Sequence, residues 1–142
     1  MDRSELMGIH RKAIQSASHD ESSLIDAVRD EGTLDHIIER CGSIDDPLER
    51  ASGYLWCISN WHPFVEGNKR TSWLAAQASL DGKVIVCDDE EKFDRVIRSI
   101  AAGEIPENEI DGIFEYCLED CSEDPVGYVL REQAELLRRL SG

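Results

Sequence analysis

His62-Pro63-Phe64-Val65-Glu66-Gly67-Asn68-Lys69-Arg70-Thr71 is the stretch that decides how this chain folds. Upstream, Asp46-Pro47 marks a helix start, a capping acid followed by a proline at the first helical position. Leu48, Ala51, Leu55 and Ile58 then form one apolar stripe. Pro63 ends that helix, because the residue before a proline is pushed out of the α region. Downstream, a second helix is expected from Gly67-Asn68 through Thr71, Leu74, Ala75 and Ala78 to Gly82, its alanines suggesting close packing. The decapeptide is therefore a tight loop between two central, buried helices.

The rest of the chain also reads as helix, which predicts an all-α fold of about six to eight helices. A first amphipathic helix is expected over Ser4 to His19, with Leu6, Ile9, His10, Ala13, Ile14 and Ala17 at helical spacing. Asp20 to Gly32 is more polar, with Leu24, Ile25 and Val28 as anchors. Thr33 is expected to cap a short helix through Leu34, Ile37 and Ile38 that stops at Gly42. Val84-Ile85-Val86 is β-prone but reads as a connector outside any sheet. Asp88 or Asp89 caps a helix carrying Phe93, Val96, Ile97 and Ile100, closed by Gly103. Pro106 opens another, carrying Ile110, Ile113, Phe114, Cys117 and Leu118. Asp124-Pro125 starts the last, with Val129, Leu130, Leu136, Leu137 and Leu140. No repeat or low-complexity segment interrupts the pattern.

The chain has 142 residues, enough for a single domain with its own core. A net charge of −15 argues against general binding to nucleic acid, whose affinity rests on Lys and Arg at phosphates. From Ser99 to Leu130 the chain has many acids and no Lys or Arg, and a solvated face accounts for them. No apolar run is long enough for a membrane span, and Met1-Asp2-Arg3-Ser4-Glu5 is charged and lacks the apolar core expected of a signal peptide. A cytoplasmic protein with no membrane partner is expected. Its five cysteines are odd in number, form no CxxC pair and are expected as reduced thiols. Cys117 and Cys121 are expected on one helical face, as buried and inert thiols.

The loop concentrates the residue types that phosphate chemistry needs. A helix N-terminus offers free N–H groups and the positive end of a dipole, so a glycine loop feeding one is an anion site. Gly67 permits close backbone approach or a positive φ. Asn68 can cap the helix and donate its amide to a phosphate. Lys69 and Arg70 supply charge at the rim. Glu66 makes sense among phosphate ligands as a Mg²⁺ ligand, since that ion takes a carboxylate together with substrate phosphates. His62 stands at the entrance, and histidine titrates near neutral pH, which suits a base for a hydroxyl nucleophile. Phe64 is read as the core anchor of the loop.

At these residues the sequence resembles the Fic/Doc family, whose signature is HPFx[D/E]GN, then Gly or Lys, then Arg. His62 to Arg70 fit it without a mismatch. Ala27-Val28-Arg29-Asp30-Glu31-Gly32-Thr33-Leu34 is similar to the segment that precedes the active-site helices in Doc-like members. The resemblance covers roughly Leu6 to Ile100 and leaves the helices after residue 104 outside it. It implies a compact helical bundle that moves part of a nucleotide onto a protein hydroxyl. His62 would be the general base, Glu66 the Mg²⁺ ligand, Gly67 and Asn68 the anion nest, and Arg70 a ligand of the nucleotide phosphates.

Two positions point to the Doc-like branch. Adenylyl-transferring members usually have Gly where this chain has Lys69, and a second Arg where it has Trp73. Doc-like members phosphorylate a translation elongation factor with the γ-phosphate of ATP. The resemblance thus implies a Mg²⁺- and ATP-dependent protein kinase and toxin, with adenylyl transfer and a non-catalytic interaction module as the alternatives. Glu31-Gly32, Glu66-Gly67 and Glu107-Asn108 each lack the Ser or Thr of the inhibitory motif [S/T]xxxE[G/N]. Restraint by an antitoxin-type partner is the corresponding expectation.

Overall fold

The computed structural model describes residues 1–16 and 24–141. Among them are eight helices and one small sheet. The helices are α1 (Arg3–Gln15), α2 (Glu31–Gly42), α3 (Pro47–Trp61), α4 (Asn68–Ala78), α5 (Glu90–Ala101), α6 (Glu107–Phe114), α7 (Pro125–Glu132) and α8 (Ala134–Arg139). The strands are β1 (Lys83–Ile85) and β2 (Leu118–Asp120). The fold is the helical bundle expected. No described helix is long and apolar enough to cross a membrane.

The centre is the pair α3 and α4. Arg70 to Gln77 are all buried, and on α3 so are Ala51 to Leu55 and Cys57 to Ser59. Ala75 and Ala76 are almost fully buried, so the small residues do sit where other elements press closely. Asp46 caps α3 by accepting from the Glu49 N–H at 2.9 Å, with Pro47 at the first turn. Asp89 and Asp124 cap α5 and α7 in the same way. Each such cap is worth about 1 kcal/mol.

α1 passes beneath the loop that joins α3 to α4. The fully buried His10 ring stacks on Phe64, centroids 3.9 Å apart and planes within 8°. Its Nε2 lies 3.0 Å from the main-chain carbonyl of Glu66. A carbonyl only accepts, so Nε2 carries the hydrogen and Nδ1 of the neutral ring is bare. Nδ1 is buried and has no partner among the described residues. Burial holds the His10 pKa below its ordinary value, against the opposing pull of the Glu66 carbonyl and Asp26.

Several boundaries differ from expectation. α1 ends at Gln15, and Ala17 and His19, like residues 20–23, lie outside the described residues. Asp30, not Thr33, caps α2; its carboxylate accepts from the Thr33 N–H at 3.0 Å and the helix starts earlier. α4 stops at Ala78, because Asp81 (φ 49°) and Gly82 (φ 85°) turn the chain into β1. The segment read as a connector is therefore a strand, pairing antiparallel with β2 in the register Val84 opposite Glu119. Gln77 closes the inner end of β1: it accepts from the Ile85 N–H at 2.8 Å and donates to the Ile85 carbonyl at 2.9 Å.

β2 also corrects the reading of α6. That helix ends at Phe114, Cys117 falls in a 3₁₀ turn and Cys121 follows the strand. The two thiols share no helical face and are half-buried, as is Cys87, whereas Cys41 and Cys57 are buried. Ile113 and Tyr116 point outward. The last predicted helix is two helices, broken at Gln133. The side chain of Gln133 turns inward there, accepting from Trp73 Nε1 at 2.9 Å and donating to the Ile85 carbonyl at 2.8 Å.

Trp73 is thereby a core residue. It is fully buried, edge-on to Phe93 at 6.0 Å and tilted against Phe114 at 5.4 Å. Val126, Val129, Leu136, Leu137 and Leu140 join the same cluster as Leu6 and Leu34, so the helices after residue 104 complete the core that α3 and α4 begin.

Two outcomes follow. Trp73→Ala leaves a large cavity and strips Gln133 of its indole partner, and should cost about 3–5 kcal/mol in urea unfolding. A loss under about 1 kcal/mol would mean that the C-terminal helices pack independently. For His10, the unfolded chain takes up a proton near pH 6.5 while the folded chain resists it. Stability should therefore fall as pH drops through the unfolded value, then level off below the folded one. His10→Phe keeps the stack without the titration, and its stability should change less between about pH 7 and about pH 5. Equal slopes for both proteins would contradict this.

Candidate active site

The loop is built by two left-handed residues. His62 ends α3 at φ 50°, ψ 62°, and Gly67 precedes α4 at φ 78°, ψ 20°. Left-handed backbone is costly for histidine and needs outside support. Arg29 supplies it. Its Nε donates to the His62 carbonyl at 2.6 Å and its Nη2 to the Trp61 carbonyl at 2.7 Å. These carbonyls are left over at the end of a helix, where a cation also meets the negative end of the dipole. The Arg29 and Asp30 N–H groups both reach the Pro63 carbonyl, the Val65 N–H donates to the Ala27 carbonyl, and Val28 bridges to Phe64. The segment that resembles the Doc-like one thus lies along the loop as an outer rail.

Phe64 is the anchor expected, fully buried on His10. Asn68 clasps its backbone: Oδ1 accepts from the Phe64 N–H at 3.1 Å and Nδ2 donates to the Phe64 carbonyl at 2.9 Å. This corrects the expected helix cap, since α4 has no side-chain cap and Asn68 spends its amide on closing the loop. Gly67 cannot be replaced at ease. Besides its positive φ, a Cβ there would lie 2.8 Å from Ile14 Cδ1.

A cleft of about 460 Å³ opens beside the loop. It gathers His62, Val65, Glu66, Gly67, Asn68 and Lys69 on one side and, on the other, Arg98 and Ala101 of α5 with Ala102, which caps it. His62 and Glu66 are exposed there, and Lys69 is half-exposed. Of the predicted site residues, His62, Glu66, Gly67, Asn68 and Lys69 come together. Arg70 does not line the cleft. It is 1% exposed, and its Nη1 donates to the Ala13 carbonyl of α1 at 2.7 Å. The expectation of two cations at the rim is corrected to one from this loop, because α4 turns position 70 into the core. Trp73 also faces away, toward Gln133.

Sequence reasoning placed no role on His10, Arg29 or Arg98. His10 was one polar residue on an apolar stripe, and that anomaly was the signal available. Arg29 lay in the segment similar to the Doc-like one, which gave it no role, and Arg98 had no signal, since it reaches the cleft from α5, outside the motif.

The described residues contain no group of three or more His, Cys, Asp or Glu arranged to hold a metal. Glu66 offers a single exposed carboxylate beside a helix N-terminus. That donor set fits an ion that takes most of its ligands from water and phosphate oxygens, as Mg²⁺ does.

No curated protein and no solved structure matches the chain. Residues 1–80 match the family model described as Fic/DOC family. The matched stretch holds α1 with His10, the rail at Arg29, the whole loop and α4, and it leaves α5 to α8 outside. With more than half of its length and every element of the loop inside that match, the chain belongs to the Fic/DOC family, whose members transfer nucleotide-derived groups to proteins.

Proposed function

We propose that this protein is a Doc-like kinase that transfers the γ-phosphate of ATP to a hydroxyl of a protein target. The observation that carries the reading is the cleft itself. An exposed histidine, a carboxylate and the uncapped N-terminus of a buried helix share one wall. The target hydroxyl would give its proton to His62 as its oxygen attacks the γ-phosphorus. The bond to the β-phosphate oxygen would break, and ADP would leave. Such a transfer needs mainly positioning and stabilisation of charge. The N–H groups at the start of α4 and the Lys69 ammonium would supply the latter. Glu66 would hold Mg²⁺, which neutralises phosphate charge when bound.

Lys69 favours phosphoryl over adenylyl transfer. It fills space and adds charge where the adenylyl-transferring relatives leave a glycine. Trp73 supports the same choice, since it stands where those relatives usually carry a second arginine. A translation elongation factor is the target class that the resemblance implies. The missing inhibitory motif supports restraint in trans by an antitoxin-type protein. An ATP-dependent toxin of this kind would act in the cytoplasm.

The reading is tested with γ-labelled and α-labelled ATP, Mg²⁺ and an elongation factor. Label should enter the protein from the γ position only, fall by about 10²–10⁴-fold in His62→Ala, and vanish with a chelator. Incorporation of the α label would replace the kinase by an adenylyltransferase. No label from either, with toxicity in an expression host retained by His62→Ala, would mean a binding module.

A further inference from the structure

The second wall of the cleft carries a group that the loop motif does not contain. The C-terminal turn of α5 faces the loop with Arg98, Ala101 and Ala102. Asn60 fastens that turn to α3, its Nδ2 donating to the Ile100 carbonyl at 2.9 Å, two positions before His62. The two walls are therefore held at a fixed separation next to the histidine.

A helix C-terminus presents carbonyls and the negative end of its dipole, a field that repels phosphate. Arg98 sits in that last turn and sets a cation there, paired with Asp94. Its guanidinium is oriented from both sides. Nε donates to Asp94 Oδ1 at 2.8 Å, and Nη2 donates to the main-chain carbonyl of Arg139 in α8. The side chain nevertheless keeps 38% of its surface exposed. A guanidinium held in place at a cleft, with part of its surface exposed, can add a charge-assisted contact to phosphate oxygens. With Lys69 on the loop side, the cleft has one cation on each wall.

We propose that Arg98 binds the phosphate chain of a nucleoside di- or triphosphate, and that α8 holds it in position for that contact. The proposal rests on the nucleotide reading above and goes further. It assigns a binding residue beyond the family match, makes the cleft selective for more than one phosphate, and gives the C-terminal helices a part in the site.

The test is calorimetric titration of the full-length protein with ADP, AMP and adenosine in the presence of Mg²⁺. The wild type should bind ADP more tightly than AMP. Arg98→Ala should weaken ADP by about ten- to a hundredfold, the usual worth of a hydrogen bond to a charged group, and leave adenosine unchanged. Arg98→Lys should fall between, having the charge without the fork. Arg98→Gln keeps the stem and the polar end, so it should repeat the loss even if the alanine variant is poorly folded. Wild-type ADP affinity in a folded Arg98→Ala or Arg98→Gln would overturn this proposal and leave the nucleotide reading standing. Failure of the wild type to bind ADP at all would overturn both.

Discussion

Phe64 is held twice, and the site depends on it. Its backbone is clasped by both ends of the Asn68 amide, and its ring lies flat on the buried His10. The clasp is local, closing the turn that leads into α4. The stack is long-range, fixing that turn to α1. Between these restraints the chain sustains left-handed backbone at His62 and Gly67, and left-handed geometry costs a non-glycine residue about 1–2 kcal/mol. Arg29 offsets part of that cost by satisfying the carbonyls of Trp61 and His62. A histidine held this way is exposed without being loose, because its backbone is fixed while its side chain stays in solvent.

The charge distribution sets the same loop apart. A net charge of −15 disfavours an anionic nucleotide at long range, but exposed charges beyond about 10 Å are largely screened at physiological salt. At the cleft the start of α4, Lys69 and Arg98 bring positive charge, set against the carboxylates of Glu66 and of the Asp94 paired with Arg98. The core reaches the same place from behind. Trp73 joins α4 to Gln133 at the break between α7 and α8, and the Arg139 carbonyl meets Arg98. The C-terminal helices thus support both the helix that begins at the site and the wall that faces it.

What could be read from the sequence was what depends on neighbours in the chain. Asp46-Pro47, Asp89 and Asp124-Pro125 start helices because a cap and a first-turn proline act within three residues. The loop was legible for the same reason. β1 was not, since three apolar residues have no period to separate strand from connector, and its partner β2 begins at Leu118, which with Cys117 reads as a continuation of α6. Nothing near Gln133 in the chain shows that Trp73 needs an acceptor. Arg70 was misplaced because counting charges in a motif does not say where a helix turns them. His10 meets Glu66 across 56 positions and Arg29 meets His62 across 33, and at such separations one sequence does not show which residues pair.

The central claim is that the start of α4 is a phosphate cradle, and amide NMR reads it directly. Titrating the ¹⁵N-labelled protein with Mg-ADP should shift the amides of Gly67, Asn68 and Lys69 first and furthest, with Ala101 and Ala102 following across the cleft. Saturable shifts confined to another face, or none at these five residues, would contradict the account.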